Sequence, residues 1–527
     1  MSKVSKNTKP ANALTAEPDI DGNVMQRLFW IIAVVCIIST ILFDKTKTMG
    51  GATFPVMGLL AVAFCAVVLA YEKKLTTQNA VILLIAAGFV LRLNYVIYTP
   101  LSETSRIRQH DLYDWGGERG HSAYIEHFYN NGFTLPDFDP TSKAQFYHPP
   151  LHHLLAAMWM RILTTFGMGY SRAIGSIQFL TLFYSSCCMI VCERIFTKLR
   201  LNGAGKIIAM SIVAFHPTFI LLAGSVNNDI LSILFTLLSV YTALRWYDDP
   251  TTKNILYRAV SIGLGMSTKL SAAVVAIPIA LLFLLKLIEE KKKIYDNILQ
   301  YCIFGVVCIP LGLWFSIRNA VRFKIPFTYV AKMSETSDQY VGDRTISERL
   351  FELAEPLKNV FINRISTGGD YYEYNLVAAI FKSSLFGEYN FANTNESITG
   401  ACRFLLVFNI ILILLSVAAL VYYIIKGGEQ TSKNPRIFII FYQIFLFIYY
   451  IKFCFDFPHD CSMDYRYIVP TCVMGAFFIG SFVQLLSNKL LAKNKNAALG
   501  LKYCVGSLAA FFCLGSSIVY IMLGVKK

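Results

Sequence analysis

Apolar residues come in long unbroken runs along this chain, without the two-residue alternation of a half-buried strand or the single stripe of a soluble amphipathic helix. About thirteen of these runs approach the ~20 residues that a helix needs to cross a hydrocarbon core. They cover residues 28–43, 54–71, 79–98, 172–195, 207–223, 228–246, 255–268, 270–288, 299–317, 403–425, 436–455, 466–486 and 502–524.

The polar breaks carry a one-sided charge. With the polar N-terminal segment 1–27 read as a cytosolic tail, the loops on its side are YEKKLTTQ, TKLRLNGAGK, IEEKKKIYD, KGGEQTSKNPR and SNKLLAKNKN. All carry Lys or Arg, which is the bias that orients helices in membranes. The assignment requires that PLHHLLAAMWMRILTTFG, residues 150–167, lie in the interface, because a further crossing would invert every later loop. His152, His153 and Arg161 suit such an interfacial amphipathic helix. The expected organisation is a tail (1–27), N-terminal transmembrane helices (28–98), a first outer loop with juxtamembrane helices (99–171), a transmembrane module (172–317), a second outer loop (318–402) and C-terminal transmembrane helices (403–527). This is an all-α polytopic membrane protein.

Composition supports that reading. The 527 residues are 55% hydrophobic and 15% charged, with a mean hydropathy of +0.51, whereas soluble domains carry about 25% charge. A net charge of +15 would suggest nucleic acid in a soluble chain. Here the basic residues fall between apolar runs, where they set topology, so nucleic acid is rejected as a partner. Most of the 13 cysteines lie inside apolar runs, with no CxxC metal spacing; Cys454 and Cys461 are a pair that could meet across one short loop. No internal repeat is visible, which counts against a secondary transporter.

Ionisable chemistry concentrates in the first outer segment, RQHDLYDWGGERGHSAYIEHFYNNGFTLPDFDPTSKAQFYHPPLHHLLAAMWMRI. An acid follows the third span, AYIEHFYNN predicts a short helix that NG ends, LPDFDP turns, and Pro149 and Pro150 fix the entry to the next helix. This Asp-bearing loop, the following His148-Pro149-Pro150-Leu151, and the later SVNNDILSILFTLLSVYTALRWY, GLGMSTKLS and MDYRYIVPT together resemble a known group. It is the polyprenyl-phosphate-sugar-dependent glycosyltransferases of the GT-C architecture, relatives of protein O-mannosyltransferases and lipid A aminoarabinose transferases, and the likeness runs over roughly residues 85–480. Two departures stand out. Many relatives carry an adjacent Asp-Glu pair where this chain has His110-Asp111 with Asp114 and Glu118 behind, and they usually place the acid loop after the first span.

The resemblance implies a GT-C-like bundle of about 13 transmembrane helices, with an extracytoplasmic first loop carrying interfacial helices. It implies a multi-pass protein of the plasma membrane in a bacterium or the endoplasmic reticulum in a eukaryote, with its site on the outer or lumenal face. The implied reaction moves a sugar from a polyprenyl-phosphate donor, dolichyl- or undecaprenyl-type, to a hydroxyl of an extracytoplasmic glycan, lipid or protein, with membrane lipids as surroundings.

That chemistry needs cations near a departing lipid phosphate and a base for the incoming hydroxyl. Asp111 is the candidate base, accepting the proton of the acceptor hydroxyl as that hydroxyl attacks the sugar carbon from the side opposite the phosphate and inverts the anomeric centre in a single displacement; a double displacement would need two carboxylates about 5 Å apart. Candidate phosphate-binding cations are Lys269 at a turn between two apolar runs, Arg466 at the opening of a span, and Arg318 at the end of another. His110, Asp114, Glu118 and His148 are candidates to organise the site or contact the acceptor. Asn227, Asn228 and Asp229 read as a helix cap, with contact to the donor as the alternative. No cofactor is expected. A divalent metal among the histidines is the lesser alternative, since no HExxH-type spacing is present. A transporter or lipid flippase is the competing function, and a non-catalytic assembly subunit a third. Asn395-Glu-Ser is a formal glycosylation sequon.

Overall fold

A computed structural model of the protein describes residues 22–44, 51–101, 117–362, 371–391 and 396–525. Three helices open it: α1 (Gly22–Leu42), α2 (Thr53–Tyr71) and α3 (Thr77–Tyr98). The first polar segment holds α4 (Gly120–Asn130) and α5 (Leu151–Thr165). A long helical module follows: α6 (Tyr170–Lys198), α7 (Gly203–Phe215), α8 (Pro217–Ala223), α9 (Asp229–Asp248), α10 (Thr252–Thr268), α11 (Ala276–Glu289) and α12 (Ile294–Phe323). The second polar segment carries α13 (Ile346–Phe351) and α14 (Leu376–Phe386), and the chain closes with α15 (Ile398–Lys426), α16 (Lys433–Asp456), α17 (Pro470–Leu491) and α18 (Lys495–Met522). Among the described residues no β-strand forms; one isolated bridge joins Tyr340 to His459.

The chain is a multi-pass, all-helical membrane protein. Among the described residues, eleven helical stretches are long and apolar enough to cross a membrane, or twelve when α7 and α8, bent by 42° to each other, count as one span. The remaining apolar run, 255–268, is α10, whose 17 residues fall short of the length of an independent span. It nonetheless returns the chain to the end from which α9 set out, because Lys269 directly after α10 meets Asp229 at the start of α9. The expected interfacial segment is α5, which is also too short to span; it buries His152, His153, Ala156, Ala157 and Met160 and exposes Met158 and Ile162.

The break between α7 and α8 follows from Pro217, which has no N–H to continue the ladder. In hydrocarbon, each freed carbonyl would cost several kcal/mol unless another donor reached it. Arg92 of α3 supplies two: Nη1 donates to Ala214 O at 2.6 Å and Nη2 to Val213 O at 3.4 Å. Ser516 of α18 donates to Phe215 O at 2.6 Å. The short α8 cannot satisfy its own carbonyls either, and α6 presents a polar row that does. Ser185 donates to Phe219 O at 2.7 Å, Thr181 to Ala223 O at 2.8 Å and Gln178 to Gly224 O at 2.9 Å. Residues 178, 181 and 185 share one helical face. The backbone leading into residues 225–229 is thereby pinned inside the bundle.

Elsewhere small residues allow close packing. A side chain at Gly205 of α7 would run into the Gly480 carbonyl of α17, and one at Gly480 into that of Gly205. The second polar segment is anchored from below: Val341 N–H donates to Pro458 O at 2.9 Å and Arg349 to Cys454 O at 2.8 Å. Lys382 and Glu373 form a fully buried ion pair at 2.6 Å. All 13 cysteines are free thiols. Cys454 and Cys461 do not pair; Cys454 donates to Ser462 O at 3.2 Å and Cys461 lies 3.5 Å from the Met333 sulfur.

Candidate active site

The pinned backbone at 225–229 delivers Asp229 to the first turn of α9, where it does not act as a cap. Asn227 wraps it instead: its Oδ1 accepts from Asp229 N–H at 3.1 Å and its Nδ2 donates to Asp229 Oδ2 at 2.8 Å. Asn228 Nδ2 donates to Thr268 O at 3.0 Å, which ties the start of α9 to the end of α10. The next residue after α10, Lys269, is in extended backbone before the 3-10 turn Leu270–Val275, and its ammonium donates to Asp229 Oδ1. Helix length and that one tie thus set the position of the cation.

A second cation comes from the short 3-10 turn Tyr465–Tyr467, capped by Asp464, whose Oδ1 accepts from Arg466 N–H at 2.7 Å. The Arg466 guanidinium pairs with Glu388 at 3.3 Å. The Tyr467 ring lies against both cations, 5.1 Å from Lys269 Nζ and 5.3 Å from the Arg466 guanidinium carbon. Burial pushes the Tyr467 phenol well above its ordinary pKa, so it stays a neutral hydrogen-bonding group beside them.

Lys269, Arg466, Asp229 and Tyr467 line one cavity of about 430 Å³. His121, His148 and Tyr147 also face it, from the first polar segment. Its remaining wall is largely apolar, with Ile233 of α9, Val274 and Val275 after Lys269, Phe327 after α12 and Leu446 and Phe453 of α16. One cavity therefore joins a charged end to a greasy wall. That shape suits a lipid carrying an anionic head.

Histidines build the side formed by the first polar segment. His121 Nδ1 and His153 Nε2 lie 2.8 Å apart and share one hydrogen bond. The His121 ring is parallel to those of His153 and His148, with centroids 5.1 and 5.8 Å away. His152 Nε2 donates to Val226 O at 2.7 Å, fastening α5 to the strip that leads to Asp229. Burial lowers His152 to about 4 and His153 well below the usual imidazole value, so both are neutral near pH 7. Among the described residues no group of three or more His, Cys, Asp or Glu side chains could hold a metal ion.

The cavity brings His148, Lys269 and Arg466 together, out of the residues expected from sequence. Glu118 is elsewhere, its side chain 86% exposed and 3.8 Å from Lys143. Arg318 does not face the cavity; it donates to Pro136 O and, at 3.0 Å, to Asn319 Oδ1, tying α12 to the LPDFDP turn. His110, Asp111 and Asp114 lie outside the described residues, as does Asn395. Asp229, expected as a cap or donor contact, and His121, expected only among the histidines weighed for a metal, also line the cavity; Tyr467, which lines it, and Glu388, which pairs with Arg466, had not been singled out. Tyr467 carried a usable signal, being the second tyrosine of the DYRY stretch that holds Arg466.

Fold and site together define a multi-pass helical membrane protein with a cavity lined by two cations and a largely apolar wall. Residues 147–314, which include His148 and Lys269, match the family described as dolichyl-phosphate-mannose-protein mannosyltransferase. The resemblance to GT-C-type glycosyltransferases, read over roughly residues 85–480, thus has a family match over residues 147–314 within it. None of the curated proteins matches the chain. Among solved structures, the archaeal oligosaccharyltransferase AglB from Archaeoglobus fulgidus, in complex with an inhibitory peptide and a dolichol-phosphate, is similar at 12% identity and a TM-score of 0.48, over 85% of this chain and 56% of its own. ArnT from Cupriavidus metallidurans bound to undecaprenyl phosphate is similar at 12% identity and a TM-score of 0.45, over 84% of this chain and 76% of its own. The chain spans 56% of the length of the archaeal protein.

Proposed function

We propose that the protein is a membrane glycosyltransferase that moves a sugar from a polyprenyl-phosphate donor to a hydroxyl of an extracytoplasmic acceptor, by a single inverting displacement. The observation that carries this is the cavity of about 430 Å³ in which Lys269 and Arg466 stand at the head of a largely apolar wall. The family match over residues 147–314 supports it.

In this reading the polyprenyl chain lies along the apolar wall and the donor phosphate meets Lys269 and Arg466. Charge grows on that phosphate as the sugar–oxygen bond breaks, so cations already fixed in a dry site favour the transition state more than the ground state. Arg466 can hold two phosphate oxygens at once, while Lys269 acts as a point charge. Tyr467 stands against both cations as a neutral phenol. Asp111 takes the proton from the acceptor hydroxyl as it attacks the anomeric carbon from the face opposite the phosphate, with His110, Asp114 or Glu118 contacting the acceptor. His148 and His121 shape the boundary between lipid and water. No metal is assigned a step. The acceptor is a glycan, lipid or protein on the outer or lumenal side, consistent with the Lys- and Arg-bearing loops on the opposite side of the bundle.

The test is to incubate the purified full chain with a panel of polyprenyl-phosphate sugars and a pool of acceptors, and to follow release of polyprenyl phosphate. Asp111→Asn that folds and inserts should lose transfer. Transfer at the wild-type rate by that variant would remove Asp111 from the base role.

A further inference from the structure

Lys269, the cation at the head of the cavity, already has an anion. Its ammonium is paired with Asp229 Oδ1, and both side chains line the cavity wall while remaining mostly buried, 15% and 3% exposed. Asn227 holds the second carboxylate oxygen at 2.8 Å. Arg466, which also lies against Tyr467, repeats the pattern with Glu388 at 3.3 Å. The pair is not needed to close the α9–α10 hairpin, because Asn228 already ties that end to Thr268 O at 3.0 Å.

A carboxylate and a phosphate make competing claims on the same ammonium. In a low-dielectric site, taking Lys269 from Asp229 leaves a buried carboxylate that needs a new hydrogen bond or a proton, and that cost is set against phosphate binding. Asn227 provides the new support: it grips Asp229 through both its side-chain oxygen and its side-chain nitrogen, so the carboxylate keeps a donor when the lysine turns away.

We propose that Asp229 is the resident counter-anion of Lys269, surrendered when a polyprenyl phosphate binds and regained when it leaves. This deepens the reading of the cavity as a carrier site and rests on it. The exchange keeps the empty site electrically neutral. It also limits how long the spent carrier, which bears more negative charge as a phosphate monoester than the sugar phosphodiester did, can hold the site. By linkage, whatever Asp229 contributes to the empty state is subtracted from carrier affinity. Removing an acid from this site should therefore tighten carrier binding and slow carrier release.

The experiment titrates undecaprenyl phosphate into the purified full chain in nanodiscs, measuring Kd and dissociation rate for wild type, Asp229→Asn and Lys269→Met. The proposal expects Asp229→Asn to bind about tenfold or more tightly than wild type, with most of the change in the dissociation rate, and Lys269→Met to bind more weakly. If Asp229→Asn fails to fold, Asp229→Ala carries the same test. Asp229 variants that bind as weakly as Lys269→Met would make the carboxylate a support for the lysine and overturn the exchange, and unchanged binding would overturn it too. A folded wild type that does not bind undecaprenyl phosphate at all would overturn the carrier reading itself, an outcome distinct from the other two.

Discussion

Arg92→Met is the sharpest test of how this fold holds its site. Arg92 is fully buried in α3, and its guanidinium reaches Gly88 O at 2.9 Å, Ala214 O at 2.6 Å, Val213 O at 3.4 Å and Ser185 Oγ at 3.1 Å. Methionine has similar length and apolar fit but no donor. The variant leaves the carbonyls at the α7–α8 break without the guanidinium. Each carbonyl left without its donor costs about 1–3 kcal/mol, while removing a buried charge returns part of that as relieved desolvation. With the close Ala214 bond dominating and the longer Val213 bond contributing less, the net loss is about 2–4 kcal/mol. Arg92→Lys, which can reach one carbonyl but not both, should fall between. The assay is apparent thermal unfolding of the purified protein in detergent, followed by intrinsic fluorescence, with carrier-phosphate binding measured in parallel. The expected result is a drop of several degrees in apparent Tm and weaker binding, because Arg92 also holds Ser185, one of the α6 side chains that pin the run into residues 225–229. An Arg92→Met protein with the wild-type Tm would refute the claim that the arginine satisfies the broken span.

Two further outcomes follow from the buried ionisable groups. His152 has a folded pKa of about 4 against about 6.5 in the unfolded chain, so on acidification the unfolded chain takes its proton first; the stability present above pH 6.5 is lost between 6.5 and about 4, by about 3 kcal/mol. His152→Gln, which keeps a donor for Val226 O, should flatten the fall in apparent Tm between pH 7 and pH 4.5; an unchanged fall would show that this imidazole is not held neutral. Glu373→Gln leaves Lys382 buried without its carboxylate and should cost about 3–5 kcal/mol, whereas the double change Glu373→Leu with Lys382→Met should recover most of it. Equal apparent Tm values for wild type and Glu373→Gln would contradict a structural role for the pair.

Much of the architecture was legible in the sequence because span length and apolar continuity are local properties. The runs at 270–288 and 255–268 put Lys269 at a turn, and the structure sets it at the end of α10 where α9 begins. The run 207–223 read as one span, although His216-Pro217 within it breaks the helix. A proline inside an apolar run signals a bend, but whether the bend is tolerated depends on Arg92, 121 and 122 residues away from the carbonyls it serves. The same limit applies at the site. The Asp229–Lys269 pair spans 40 residues and the His121–His153 bond 32, so neither is visible to local patterning. Arg318 shows the opposite case. Ser316 and Asn319 of α12 line the cavity, but at 3.6 residues per turn Arg318 lies off their shared face and reaches the LPDFDP turn. Sequence places a cation near a membrane surface; helical phase decides which cavity it serves.

The central claim, that Lys269 and Arg466 head a site for a lipid phosphate that leaves a sugar, is tested most directly by measuring polyprenyl phosphate release from a panel of polyprenyl-phosphate sugars by wild type and Lys269→Met. Loss of one charge-assisted contact to the departing phosphate, at about 1.5–3 kcal/mol, corresponds to roughly 10–150-fold. The account predicts release from at least one donor by wild type and a rate lower by about that factor in the folded variant. Release by Lys269→Met at the wild-type rate, or no release by wild type from any donor, would contradict it.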